Sequence, residues 1–143
     1  MAGANILVDT GFWIGLYTPE NPISHQTALS FVDILEDNRV IIPWPTLYEF
    51  VNTRLARRKD YLYAFQQFIQ KPNVERISDE PYKSIALQNI FELNRTRIFS
   101  ISLVDEVIRQ MLMDDNLKID YLLTFNKGDF EYSCQVANVL ILE

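Results

Sequence analysis

Short apolar runs alternate along this chain with segments of helical spacing, and that order limits the fold more than any other feature. Strands are predicted at 5–8, 39–42, 74–77, 121–125 and 136–142. Helices are predicted at 12–17 and at 23–36, where Ala28, Leu29, Phe31, Val32 and Leu35 recur at helical spacing. A third opens at Thr46, with Glu49 at the capping-box position and Leu47, Phe50, Val51 and Leu55 on one face. Others run from Asp60 to about Gln70, from Asp79 and Pro81 to Leu93, and from a Ser102 cap with Leu103, Val104, Val107, Ile108, Met111 and Leu112 inward. Ile98-Phe99 reads as a brief apolar link. Parallel strands need long crossovers, usually helical. The alternation therefore predicts an α/β fold with a central parallel sheet flanked by helices. A length of 143 residues predicts a single domain, 1–143.

Composition removes several functions. Cys134 is the only cysteine, so neither an intrachain disulfide nor a thiolate zinc cage can form. A reducing, cytoplasmic setting is expected. Cys134 reads as an inert core-edge residue, because His25 is the only histidine available to activate it. The four glycines, at 3, 11, 15 and 128, are too scattered to form a phosphate-cradling loop. No positive segment precedes the apolar run Ile6-Leu7-Val8, and no apolar run is long enough to span a bilayer, so neither a signal peptide nor membrane attachment is expected. The net charge of -6 argues against a broadly basic nucleic-acid coat.

The acids are placed more tellingly than they are numerous. In open parallel sheets, ligands gather beyond the carboxyl ends of the strands. Asp9 ends the first strand. Glu49 follows the second, Asp105 lies just after the Ser102 cap, and Asp120, Asn126 and Asp129 surround the 121–125 strand. Converging carboxylates are costly without cations, and Mg²⁺ or Mn²⁺ suits an all-oxygen set acting on phosphate. Glu49 and Asp105 equally suit helix capping, since an acid at the third helical position complements the helix dipole. Asp9 has no such local use in a strand.

Four segments resemble PIN domains, the fold of VapC-type toxin ribonucleases. Ile6-Leu7-Val8-Asp9-Thr10 is similar to their opening strand and first acid. Pro45-Thr46-Leu47-Tyr48-Glu49-Phe50-Val51-Asn52 resembles the second-acid helix, and Ser100-Ile101-Ser102-Leu103-Val104-Asp105 the third-acid segment. The run from Asp120 to Phe130 resembles the closing strand and loop. The resemblance spans nearly the whole chain and implies a three-layer PIN-like fold. It implies a Mg²⁺- or Mn²⁺-dependent endoribonuclease with Asp9, Glu49 and Asp105 as catalytic, metal-ligating carboxylates. Thr10 and Thr124 would supply hydroxyls. Where many members carry Thr-x-Asp, this chain has Thr124-Phe125-Asn126. Asn126 offers an oxygen but no charge, so Asp129 or Asp120 could compensate, and the second metal position is where this chain departs. The resemblance further implies a homodimer and a small antitoxin partner.

Arg54, Arg57, Arg58 and Lys59 fall within six positions, at the end of the Glu49 helix. They suit either a helix C-terminus or a phosphate track for RNA, which Arg95, Arg97, Arg109 and Lys127 could extend. Phe12, Trp13 and Trp44 read as core or dimer surface rather than base-stacking platforms. Tyr61, Tyr63, Phe65 and Phe68 occupy more than one helical face, which suggests a covering subunit or antitoxin. Two other readings stand beside the ribonuclease: a catalytically weak PIN-fold module that binds RNA or protein, and an unrelated α/β domain whose acids serve only as caps.

Overall fold

A computed structural model describes residues 3–96 and 100–143. Arg97 and the link expected at Ile98-Phe99 lie outside these described residues. The strands are β1 (Asn5–Val8), β2 (Arg39–Pro43), β3 (Val74–Ile77), β4 (Tyr121–Leu123) and β5 (Leu140–Leu142). They form one parallel sheet in the order β3-β2-β1-β4-β5. The helices are α1 (Thr10–Leu16), α2 (Pro22–Ser30), α3 (Val32–Asp37), α4 (Trp44–Phe50), α5 (Thr53–Ala56), α6 (Lys59–Ile69), α7 (Lys83–Thr96), α8 (Leu103–Leu112) and α9 (Glu131–Ala137).

Side chains alternate across a strand, so the inner strands feed both faces. Ile6, Val8, Val40, Ile42 and Leu123 join one core with Phe12, Trp13, Phe65 and Phe68. Leu7, Ile41 and Leu122 face the other way, into a core with Val107, Ile108, Met111 and Phe130. The result is the expected three-layer, PIN-like α/β fold. Winding proceeds from β1 out to β3, then crosses back to β4 on the other side of β1. This reversal opens a crevice beyond the carboxyl ends of β1 and β4, where such sheets hold ligands.

Local departures from the sequence reading have physical causes. The predicted 23–36 helix divides at Phe31 into α2 and α3. The Glu49 helix stops at Phe50, and Asn52 starts α5 by accepting from the Leu55 N–H at 3.1 Å. Thr46 is not the cap. It lies inside α4 and its hydroxyl donates to the Pro43 carbonyl at 2.8 Å. The strand expected at 136–142 shortens to β5: residues 136 and 137 close α9, and its cap Asn138 has a left-handed backbone (φ 59°) that lets Val139 N–H reach the Cys134 carbonyl at 2.8 Å. Leu103 faces solvent rather than the core, while Glu106, unassigned by the pattern, is buried.

Tyr61, Phe65 and Phe68 are covered within the chain, because Trp13, Tyr17 and Phe50 stack edge-on or tilted against them. Only Tyr63 of that group is largely exposed, so this helix does not require an external cover. Phe12 and Trp13 are core residues, and Trp44 is exposed beside Tyr48.

Candidate active site

Asp9 leaves β1 and caps α1, accepting from the Thr10 N–H at 2.7 Å. Its N–H donates to the Leu123 carbonyl at 3.0 Å, which seats it beside the end of β4. Its second oxygen accepts from the Thr124 hydroxyl at 2.9 Å. The Thr10 hydroxyl donates to Glu49 Oε1 at 2.6 Å. Thr10 thus ties together acids from the ends of β1 and β2. On the other side, the Thr124 hydroxyl accepts from the Asn126 N–H at 3.0 Å, and the Asn126 amide donates to the Asp129 carboxylate. One hydrogen-bonded series therefore runs from Glu49 through Thr10, Asp9, Thr124 and Asn126 to Asp129.

Asp105 enters from α8. Ser102 caps that helix as expected, accepting from the Asp105 N–H at 3.1 Å. The Asp105 carboxyl is pushed up to about 6, first by burial and then by the charges of Asp9 and Asp129, with Glu49 adding a smaller push. The Asp9 carboxyl is also raised. Burial dominates there, opposed by its hydrogen bonds from Thr124 and Thr10 and reinforced by Glu49 and Asp129. The charges of Asp9, Asp129 and Glu49 all act on Asp105, which places it in the same electrostatic cluster.

Glu49 is no cap. It lies beyond the first turn of α4, which contains no acid, and it is spent on Thr10 instead. Asp105 does sit in a first turn, so capping and clustering coexist there. Asp120 is excluded. It precedes β4 and accepts from the Asn5 N–H at 2.8 Å, at the amino end of the sheet, opposite Asp9.

Among the described residues every close ion pair lies elsewhere, and the carboxylates of Asp9, Glu49, Asp105 and Asp129 pair with no Lys or Arg. Asp9 is buried and Asp105 and Asp129 are partly buried, while Glu49 is exposed; buried carboxylates without a counter-charge suit a hard cation. The donors fit that role: they are all oxygen, and the hydrogen bonds to Asp9 leave lone pairs on its carboxylate. No group of three or more His, Cys, Asp or Glu among the described residues converges tightly enough to cage an ion unaided. Mg²⁺ needs no such cage, since one or two carboxylates plus water suffice. His25 and Cys134 stand apart. The His25 ring meets the Gly15 carbonyl at 3.2 Å, and burial pushes the Cys134 thiol up to about 11.

Two supports escaped the sequence reading. Arg109 is not part of a phosphate track: its guanidinium donates to the Asp129 carbonyl at 2.9 Å and pairs with Glu106 at 3.6 Å. Glu106, 3 % exposed, also accepts from Asn89 and Gln110. This brace holds the single 3-10 turn Lys127–Asp129 against α8. The i,i+3 spacing of Glu106 and Arg109 was its only sequence signal. Lys127 and Arg95 are likewise paired, with Glu143 and Glu92.

The cations after Glu49 lie on α5 and the turn into α6, not on the Glu49 helix itself. Arg58 pairs with Glu20 at 2.7 Å and lies over the Tyr61 ring. Arg54, Arg57 and Lys59 are exposed and make no ion pair among the described residues.

No family model matches the chain. No curated protein matches it significantly by sequence. Among solved structures it is similar to the crystal structure of VapBC2 from Rickettsia felis bound to a DNA fragment from their promoter, with a TM-score of 0.63 and 13% identity. The match covers 96% of this chain and 97% of that one.

Proposed function

We propose that this chain is a Mg²⁺- or Mn²⁺-dependent endoribonuclease, the toxin of a toxin-antitoxin pair. The observation that carries the reading is the acid cluster beyond the carboxyl ends of β1 and β4. Thr10 ties Glu49 to Asp9, Thr124 holds Asp9 from the other side, and burial, helped by the charges of Glu49 and Asp129, raises Asp9 and Asp105. Among the described residues none of the four carboxylates pairs with a Lys or Arg. The PIN-like segments and the likeness to VapBC2 support the same reading. The partners proposed with it are RNA as substrate, a small antitoxin and a second copy of the chain. No helix among the described residues is long and apolar enough to cross a membrane.

When bound, the cation polarises the scissile phosphate and lowers the pKa of the attacking water. Asp9 would hold it, oriented from two sides by the Thr10 N–H and the Thr124 hydroxyl. Glu49, with one oxygen held by Thr10, keeps the other as a ligand or water acceptor. Asp105, raised to about 6, is suited to take a proton near neutral pH. Asn126 contributes at most an uncharged oxygen, because its amide is turned to Asp129.

That last contact favours one alternative, a PIN-fold module that binds RNA or protein and turns over weakly. Incubation of the purified chain with single-stranded RNA separates the two. The ribonuclease reading expects cleavage in Mg²⁺ or Mn²⁺, none in EDTA, and a loss of about 10²–10⁴-fold in Asp9→Asn and Asp105→Asn. Cleavage that persists in both variants would overturn it. The alternative expects binding without turnover in the wild type and turnover in Asn126→Asp.

A further inference from the structure

A cleft of about 130 Å³ lies between the end of α1 and the break that separates α4 from α5. The buried Phe50 and Leu55 form its apolar floor, and the half-exposed Ile14 lines its rim with Thr18, Asn21, Arg54 and Arg58. Resting on the ribonuclease reading, we infer that this cleft holds the base of one unpaired nucleotide flanking the cut in the RNA strand.

The cleft is joined to the acids through the backbone. Phe50 follows Glu49 directly. Asn52, another lining residue, donates its side-chain amide to the Glu49 carbonyl at 2.8 Å while capping α5. Along α1, Thr10 at the acid cluster and Tyr17, which caps the helix and lines the cleft, are about 10 Å apart at the helical rise, a short reach along a nucleic-acid strand.

The chemistry of the rim fits a nucleotide. Asn21 precedes α2 but its side chain makes no capping bond, and the Thr18 hydroxyl, the Asn21 amide and the Arg54 guanidinium make no hydrogen bond within the described protein. A hydroxyl and an amide can read a base edge, and the Arg54 guanidinium, which makes no hydrogen bond among the described residues and shares the charge of Glu20 with Arg58, suits a phosphate or stacks on a base. Glu20 pairs closely with Arg58 at 2.7 Å and also feels the charge of Arg54, so the cations here with no acid partner among the described residues are Arg57 and Lys59, with Arg54 only partly offset. The apolar floor takes one planar group and is too small for the row of anchors that a docked helix presents. This compact floor with free cations favours RNA over a peptide.

The test uses fluorescence anisotropy of a labelled, random-sequence single-stranded RNA, together with sequencing of cleavage ends. Arg54→Ala should weaken RNA binding about tenfold, the scale of one lost stacking or charged contact. Asn21→Ala and Thr18→Val should alter the base preferred at one fixed position beside the cut, with the melting temperature unchanged. Unchanged affinity in Arg54→Ala together with an unchanged end profile in Asn21→Ala would overturn the assignment and leave the cleft to a peptide. If the wild type binds RNA but cuts none, the ribonuclease reading fails, while the affinity arm still decides the cleft.

Discussion

Glu49 and Asp105 stand at the same spacing from a hydroxyl residue in the sequence, yet the fold uses them differently. Ser102 caps α8, and Asp105 sits in its first turn. Thr46 is inside α4, and Glu49 turns to Thr10. The capping pattern alone could not separate these cases, because the true start of α4 is fixed by Trp44-Pro45, where proline suits a first turn. Asp105 carries a measurable consequence. Its folded value of about 6 lies above the ordinary 3.8, so between those values the folded state binds more protons than the unfolded state. Stability from this group is complete below the lower value and is lost as pH rises through about 6. The metal-free wild type should therefore lose melting temperature relative to Asp105→Asn as pH climbs from about 4 to 7. Thermal denaturation across that range checks the difference. Added Mg²⁺ should close the gap, because it stabilises only the protein that retains the carboxylate.

At the scale of elements, the inner strands were the most legible. Ile6-Leu7-Val8 and Val40-Ile41-Ile42 are apolar on both faces because helices cover both, and no amphipathic alternative competes. Breaks within helical stretches were not legible. Leu47, Phe50 and Leu55 keep one apolar face across the α4–α5 break, so periodicity runs through it. The signal that stops α4 is a single side chain, Asn52, which serves both neighbours. Asn52→Ala should cost about 1 kcal/mol, as for other lost helix caps. Chemical denaturation checks the cost, and RNA cleavage should fall with it because Glu49 loses the amide that holds its carbonyl. α9 was hidden for a related reason: its end depends on a left-handed Asn138, which nothing in an apolar run announces.

At the scale of the whole molecule, the crevice is a consequence of topology. The sheet reverses its winding at β1, so Asp9 and the Thr124-Phe125-Asn126 segment meet although they are far apart in sequence. The sequence order of acids indicated which residues could meet. It could not show that Asp120 lies at the opposite end, since a strand of unknown length leaves either end open to the site. It also could not reveal the Arg109 and Glu106 brace, which depends on how α8 packs against the Asp129 turn. The net charge of -6 conceals two local fields: a cluster of acids whose carboxylates form no ion pair among the described residues, and exposed cations on α5 and the following turn. The first is the centre of the account. Titration calorimetry of Mn²⁺ into the purified protein tests it most directly. The account predicts saturable binding in the wild type that is lost in Asp9→Asn and greatly weakened in Asp105→Asn. Equal binding in all three proteins, or none in the wild type, would contradict it.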